Sequence, residues 1–411
     1  MPSRVILAEN TIRGLGGSYE SLYVTATSLD RRRFEPIVLF FQPNHFAEKL
    51  AAQGIRVLVK QSRQFWERES YLEKASGVRS KLPKGGLLGG LRKRLVALSR
   101  MLVGGLPMAW TLYRTIRNEG AAILHTNNNL QRDSMMILAG ALAGVPIVSH
   151  ERQLSPCSGF ASLLSARVDA LVCISDAVLQ FTRTSGARVR DRRRVYNAID
   201  TEALQGVKPT LPPGPKRVGI VGRIMPKKGQ HHFVEAAALI CRKLPEVEFF
   251  VIGQSTGDDR SYEDAARTTA KRLGLGSRIH WTGHINEPLG LMKSLDVIVH
   301  AAVEPEPFGR VIIEALALGR PIVATALGGP VEIIEDGSSG FLVPPGDASA
   351  IAAKVMCLLD DDELSARMQK AAILRAMDFG VASYIRQIEM VYEDVLILRR
   401  RSDWLNGEST T

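Results

Sequence analysis

Short apolar runs alternate with helical patterns along the whole chain. In the first half RVILAE, PIVLFF, IRVLVK, AAILHT, VPIVSH and ALVCIS read as strands, each with a turn signal after it. In the second half RVGIVG, EFFVIG, RIHWTG, DVIVHA, PIVATA and GFLVPP do the same. These runs are apolar throughout instead of alternating, which predicts parallel strands covered on both faces by the intervening helices. The expected class is α/β, with two doubly wound domains. Residues 208–215 (KPTLPPGP) join the two sets and read as a hinge. The expected domains are therefore 1–207 and 216–380. A last helical stretch, 381–411, has no strand after it and is expected to pack back across the hinge.

Composition narrows the class without changing it. The chain has 411 residues, 45% hydrophobic and 23% charged, which excludes wholesale disorder and suits two or three domains. Cys157, Cys173, Cys241 and Cys357 lie far apart with no C-x-x-C pair, so neither a disulfide framework nor a zinc site is expected and a reducing compartment fits. The apolar run in MPSRVILAEN is too short for a signal peptide. Residues 95–113 come nearest to a membrane span, but Arg100, Gly104, Gly105 and Pro107 interrupt them. The expected location is the cytoplasm, with peripheral attachment to the inner face of the membrane as an option.

Charge adds one feature. Residues 1–200 hold 29 Lys/Arg against 15 Asp/Glu, a net +14, whereas 201–411 hold 24 against 27, a net −3. Residues 56–117 alone hold 14 against 3, which equals the +11 of the whole chain. Within them Leu88, Leu91, Leu95, Leu98 and Leu102 form one helical stripe, with Lys93 and Arg100 opposite and Arg92 and Arg94 on the flanks. Such a helix either faces a core with a solvated basic back or lies on an anionic membrane, where each cation contributes about 1 kcal/mol. Nucleic acid is not expected: nearby aromatics are few and no binding motif is present.

In parallel α/β sheets ligands bind beyond the carboxyl ends of the strands. After RVGIVG, Arg223 and Lys228 sit on a strand-to-helix loop and suit a diphosphate; the alternative is two solvated surface cations. After DVIVHA, Glu306 stands before a helix opened by Gly309, and Glu314 lies inside it. A carboxylate only accepts hydrogen bonds and so pairs with sugar hydroxyls, but two glutamates at this spacing also occur as surface charges.

The wider pattern is more specific. EPFGRVIIEALALGRPIVATALGGPVEIIEDGSSGFLV closely resembles the retaining family-4 glycosyltransferases and their E-x7-E signature. GRIMPKKG resembles their phosphate loop, VYNAID their inter-domain turn, CISDAV the strand end before it, and LGGSYES their N-terminal glycine loop. The resemblance implies a GT-B fold, two Rossmann-like domains facing each other across a cleft, with a nucleotide-sugar donor in the C-terminal domain. Residues 1–207 would hold the acceptor, with a basic insertion at about 61–107.

Carried over by motif, Arg223 and Lys228 would bind the donor diphosphate, and Glu306 with the amides of Phe308 and Gly309 would hold the donor sugar. Glu314 would take the ribose, with Gly253 and Val311 lining the same donor site. Gly16 and Gly17 would let the N-terminal loop close over the phosphates. His150 lines up with the acceptor-domain histidine near the reacting sugar; His125 is its rival, and a structural histidine is the alternative for either. His300-Ala301 replaces the usual Pro-Ser, and Ala198 a turn glycine.

The implied activity is retaining sugar transfer from a nucleotide-sugar, UDP- or GDP-linked ahead of ADP-linked, to a glycan or lipid-linked hydroxyl. That fits polysaccharide or glycolipid synthesis. No Asp-x-Asp stands at a strand end, so no metal and no cofactor is expected. A nucleotide-sugar epimerase and a non-catalytic nucleotide-sugar binding protein are the competing readings.

Overall fold

The computed structural model describes residues 1–10, 17–60 and 105–408. The amphipathic stretch at 88–102, most of the basic insertion and Gly16 lie outside them. The chain divides into two compact units, one of residues 1–174, 178–195 and 385–411, the other of 175–177 and 196–384.

The first unit holds a seven-stranded sheet: β1 (Ser3–Glu9), β2 (Phe34–Phe40), β3 (Arg56–Val59), β4 (Ile123–Thr126), β5 (Ile147–Glu151), β6 (Ala170–Cys173) and β7 (Arg192–Arg194). Their order is β3-β2-β1-β4-β5-β6-β7 and every pairing is parallel. The second unit holds six strands, β8 (Arg217–Val221), β9 (Glu248–Ile252), β10 (Ile279–Gly283), β11 (Val297–His300), β12 (Ile322–Thr325) and β13 (Phe341–Val343), in the order β10-β9-β8-β11-β12-β13. Again all pairs are parallel. Each order reverses direction beside its first strand, at β1/β4 and β8/β11, which is where a doubly wound sheet opens a crevice for ligand.

The twelve expected strands all form. The inner strands are buried on both faces, as in β4 and β11, where every residue is buried, while the edge strands β3 and β10 stay partly open. In the second unit Val218, Val251 and Val299 of the sheet pack against Phe233, Val234 and Val355 of the covering helices. The thirteenth strand, β7, reads Arg-Arg-Arg, and its charge suits the open edge of a sheet.

Residues 208–215 are fastened to the second unit and do not form a free joint. The Thr210 amide donates to Gly290 O at 3.1 Å, and Ser294 Oγ accepts from the Thr210 and Leu211 amides, each at 3.0 Å. Arg217 donates to Pro212 O at 2.9 Å. Proline-rich composition marks a turn here, and the backbone groups it leaves are spent on the neighbouring helix Leu289–Lys293 and its end. The division falls earlier, between Val195 and Tyr196.

The helix Val381–Glu408 begins in the second unit, and from residue 385 it belongs to the first. There Glu389 accepts from the Asp30 amide and from Arg33, both at 2.8 Å, and Asp394 accepts from Arg193 at 2.6 Å. No helix among the described residues is long and apolar enough to cross a membrane.

Candidate active site

In the second unit, the loops after β8 and β11 flank the crevice and carry charged side chains that meet. The Lys228 ammonium donates to the Glu306 carboxylate. His300, the last residue of β11, places Nε2 3.5 Å from the same Glu306 oxygen. Burial pushes the Glu306 carboxyl up, but His300 and Lys228 outweigh burial and hold it at about 2. His300 is buried, so the histidine that departs from the usual Pro-Ser sits beside the key carboxylate.

Local backbone fixes this arrangement. Pro226–Lys228 make one tight helical turn, closed by Gly229 and followed by the helix Gln230–Cys241. The buried Gln230 side chain donates to Arg223 O at 3.0 Å, so the cation loop is tied to the helix below it. Arg223 itself is exposed and forms no ion pair among the described residues. Glu306 is held by its backbone: its amide donates to Leu327 O at 3.3 Å, and its carbonyl accepts from the Gly329 amide at 2.8 Å.

Gly309 precedes the helix Arg310–Ala317 with φ 107°, a conformation that an L side chain rarely adopts. A Cβ there would also lie 2.8 Å from Ile312 Cδ1. No side chain caps this helix; the Ile312 amide turns back to Gly309 O at 2.9 Å, and the Val311 amide has no cap from a side chain. Phe308 is anchored by its ring, 5.9 Å from Tyr196 and 6.0 Å from Phe379. Glu314 is half-buried, with Arg310 3.4 Å from its carboxylate.

Other expected residues fall differently. Gly253 follows β9, but its amide donates to Gly283 O at 3.1 Å, and a Cβ would come within 2.1 Å of Gly222 O. Close backbone approach accounts for that glycine. Gly17 is the first residue of the helix Gly17–Ser28. Glu332 was not singled out by any motif; its two oxygens accept from the Asp176 and Ala177 amides, each at 2.6 Å.

The first unit has its own polar centre at β1/β4. His150, at 0% exposure, and His125 are not rivals but partners, with His125 Nε2 2.8 Å from His150 Nδ1. Burial, then Arg152, push His125 down to about 3; the same causes and His125 push His150 well down. Both rings are neutral at ordinary pH. Glu9, ending β1, accepts from Asn127 Nδ2 at 2.8 Å and from Asn128 Nδ2 at 2.9 Å, while Arg152 donates to Asn127 Oδ1 at 2.7 Å. Burial pushes Glu151 up to about 8.

The family profile described as glycosyl transferases group 1 matches residues 204–375. The lipopolysaccharide core biosynthesis mannosyltransferase LpsB of Rhizobium meliloti is 30% identical over 249 residues, 58% of this chain and 69% of its own length. The chain belongs to the glycosyl transferases group 1. This glycosyltransferase is also 34% identical over 177 residues to the alpha-D-kanosaminyltransferase of Streptomyces kanamyceticus, 43% of this chain. It spans about half the length of several such curated relatives, 45% in that case. In fold it is similar to HepE of Anabaena, solved in complex with UDP-glucose: TM-score 0.74 at 23% identity, covering 95% of this chain and 99% of that one. Two parallel-sheet, Rossmann-like units are thus those of a GT-B glycosyltransferase. Its relatives include a lipopolysaccharide core biosynthesis mannosyltransferase and a phosphatidyl-myo-inositol mannosyltransferase, and neither the epimerase nor the binding-protein reading is favoured.

Proposed function

We propose that this glycosyltransferase moves a sugar from a nucleotide-sugar donor held by the second unit to a hydroxyl of a glycan or lipid-linked acceptor held by the first, with retention of configuration. The observation that carries this reading is the Lys228–Glu306 pair at the β8/β11 crevice, beside a helix that no side chain caps. When the donor enters, its diphosphate takes the Lys228 ammonium and the exposed Arg223 guanidinium. Glu306, kept ionised by its neighbours, then accepts from the sugar hydroxyls, and the amides of Phe308, Gly309 and Val311 donate. Glu314 accepts from the ribose hydroxyls.

The carbon–oxygen bond to the diphosphate breaks and negative charge grows on the leaving oxygen. Cations fixed there act where charge develops, which is worth roughly 3–4 kcal/mol per group in comparable sites. The acceptor oxygen bonds to the same carbon, and its proton passes to the departing diphosphate. Arg223 and Lys228 provide positive charge for this step, so the reading includes no metal. His150 would meet the substrate in the first unit through Nε2.

A melting series with UDP, GDP and ADP, each with and without its common sugars, tests the donor. UDP-glucose goes first, because the similarly folded HepE holds it. A ligand at 100 times its Kd stabilises by about 2.7 kcal/mol. A shift from one nucleotide that weakens in Glu314→Ala supports the reading; no shift from any counts against it. Retention is read from the anomer of the first-formed product, and metal independence from turnover in EDTA.

One observation favours a membrane-borne acceptor. On the helix Leu106–Glu119, Trp110 is 59% exposed and stacks on Tyr113 at 5.2 Å, with Leu106 exposed and Arg114 and Arg117 on the same helix. Exposed aromatics with cations suit an anionic headgroup layer. Flotation with anionic liposomes should weaken in Trp110→Ala and in the triple replacement of Arg92, Lys93 and Arg94 by Ser. Unchanged flotation would remove the membrane from the reading.

A further inference from the structure

Three side chains of the first unit form one buried chain of hydrogen bonds. The Tyr392 hydroxyl, on the helix Val381–Glu408, lies 2.5 Å from His125 Nδ1. His125 Nε2 lies 2.8 Å from His150 Nδ1. The imidazoles stack at 5.0 Å and 21°, and the phenol ring meets His125 edge-on at 81°. None of the three is more than 2% exposed.

The chain ends on an atom with nothing to bind. His150 Nε2 is buried and has no hydrogen-bond partner among the described residues. Native proteins rarely leave such a group unmet, so an orphan at a strand end points to a partner that arrives with substrate.

The proton inventory decides what that nitrogen offers. A neutral imidazole has one N–H donor and one bare acceptor nitrogen. The chain therefore has two settings. If Tyr392 donates to His125 Nδ1, then His125 Nε2–H donates to His150 Nδ1, and His150 is left with Nε2–H. If every bond reverses, His150 Nε2 is bare and could act as a base. The first setting is favoured chemically: an imidazole nitrogen is a strong acceptor, while the phenol oxygen's lone pair is drawn into its ring. The separation agrees, since N–H···O bonds rarely close below about 2.7 Å whereas O–H donors do.

We propose that Tyr392 and His125 are positioning residues that hold His150 in the Nε2–H form, so that it meets substrate oxygen as a hydrogen-bond donor and not as a base. This rests on the reading above that His150 touches substrate. It makes the long C-terminal helix part of the acceptor unit's chemistry through one hydroxyl group. A donor-only His150 also agrees with a reaction in which the departing diphosphate takes the acceptor proton.

Long-range proton–nitrogen NMR of the full chain labelled with nitrogen-15 histidine reads the tautomer directly, with His125→Gln and His150→Gln assigning the signals. Wild type should show His150 protonated at Nε2 alone. In Tyr392→Phe, which keeps the ring and loses only the hydroxyl, the His150 proton should become shared between its two nitrogens. Turnover should then fall at least about tenfold, as when other histidines lose the partner that sets their tautomer. Donor KM should stay unchanged. A His150 protonated at Nδ1 in wild type, or a tautomer unmoved in Tyr392→Phe, would overturn the proposal. Turnover of His150→Ala within threefold of wild type would instead remove His150 from the substrate, and the NMR result separates the two failures.

Discussion

The Lys228 ammonium donates to the Glu306 carboxylate across the reversal point of the second sheet, tying the loop after β8 to the loop after β11. Their side chains keep 27% and 17% of their exposure, so neither is sealed in. A pair so placed can be parted by a ligand that offers an anion to one and hydroxyl groups to the other. Lys228→Ala should therefore lose turnover by about two to three orders of magnitude, the scale for one group that stabilises developing charge. The melting temperature should stay within a few degrees, because the partly open carboxylate keeps His300 and water. Initial-rate assays decide it: turnover within threefold of wild type removes Lys228 from the mechanism.

Glu306 also sets an acid limit. Its folded value of about 2 lies below its ordinary 4.5, so the native state binds the carboxylate form more tightly than the unfolded chain does. That contribution is complete above pH 4.5 and is lost as pH falls towards 2. Urea midpoints of wild type and Glu306→Gln should differ most above pH 4.5 and converge below it. A difference that stays constant from pH 5 to 2.5 would mean that His300 and Lys228 do not hold the carboxyl down.

How much of this could be read in the chain varies with distance along it. Twelve strands announced themselves as apolar runs, most of them because a parallel strand buried on both faces has no room for polar residues; β3 and β10 are edge strands that are apolar enough to read the same way. β7 did not, because an edge strand can be built from Arg192, Arg193 and Arg194 with their charges in water. Lys228 and Glu306 were legible through their loops, each lying directly after a strand. The His300–Glu306 contact was not, since a departure from a motif says nothing about what it touches. His125 and His150 looked like competitors because nothing in the chain pairs them across β4 and β5, and the partner of His125, Tyr392, lies 267 residues away. The proline-rich stretch misled for a local reason: composition marks a turn but not what Thr210 and Leu211 will bind.

The C-terminal helix should depend on Glu389 more than on its other acids. Glu389 is 6% exposed and accepts from the Asp30 amide and Arg33. Removing it strands the Asp30 amide, at about 1–3 kcal/mol, while the half-exposed Arg33 keeps Glu393. Asp394 pairs with Arg193 in the open, at 48% and 28% side-chain exposure, where an ion pair contributes about 0–1 kcal/mol. Denaturant unfolding of Glu389→Ala and Asp394→Ala should show the first clearly destabilised and the second nearly unchanged. Equal losses would mean that burial is not what sets the strength of these contacts.

Glu151 should give the opposite pH signature to Glu306. Burial, with Asp133 adding to it, raises its carboxyl to about 8 from an ordinary 4.5, and its Oε1 has no partner among the described residues. The folded chain keeps a proton there that the unfolded chain releases, so the stability linked to this group is full below pH 4.5 and falls as pH rises to about 8. Gln occupies the same volume, can still accept from the Leu130 amide as Glu151 does at 3.1 Å, and never ionises. Glu151→Gln should therefore gain on wild type steadily between pH 5 and 8, and hold that gain above it. The histidine pair tilts the absolute curve the other way on the acid side: its two neutral rings charge when the chain unfolds below about pH 6.5, so that stability is lost as pH falls. It does so in both proteins, and their difference isolates Glu151. Parallel melting curves over that window would place the Glu151 carboxylate in its ordinary range and its charge, not its proton, in the folded state.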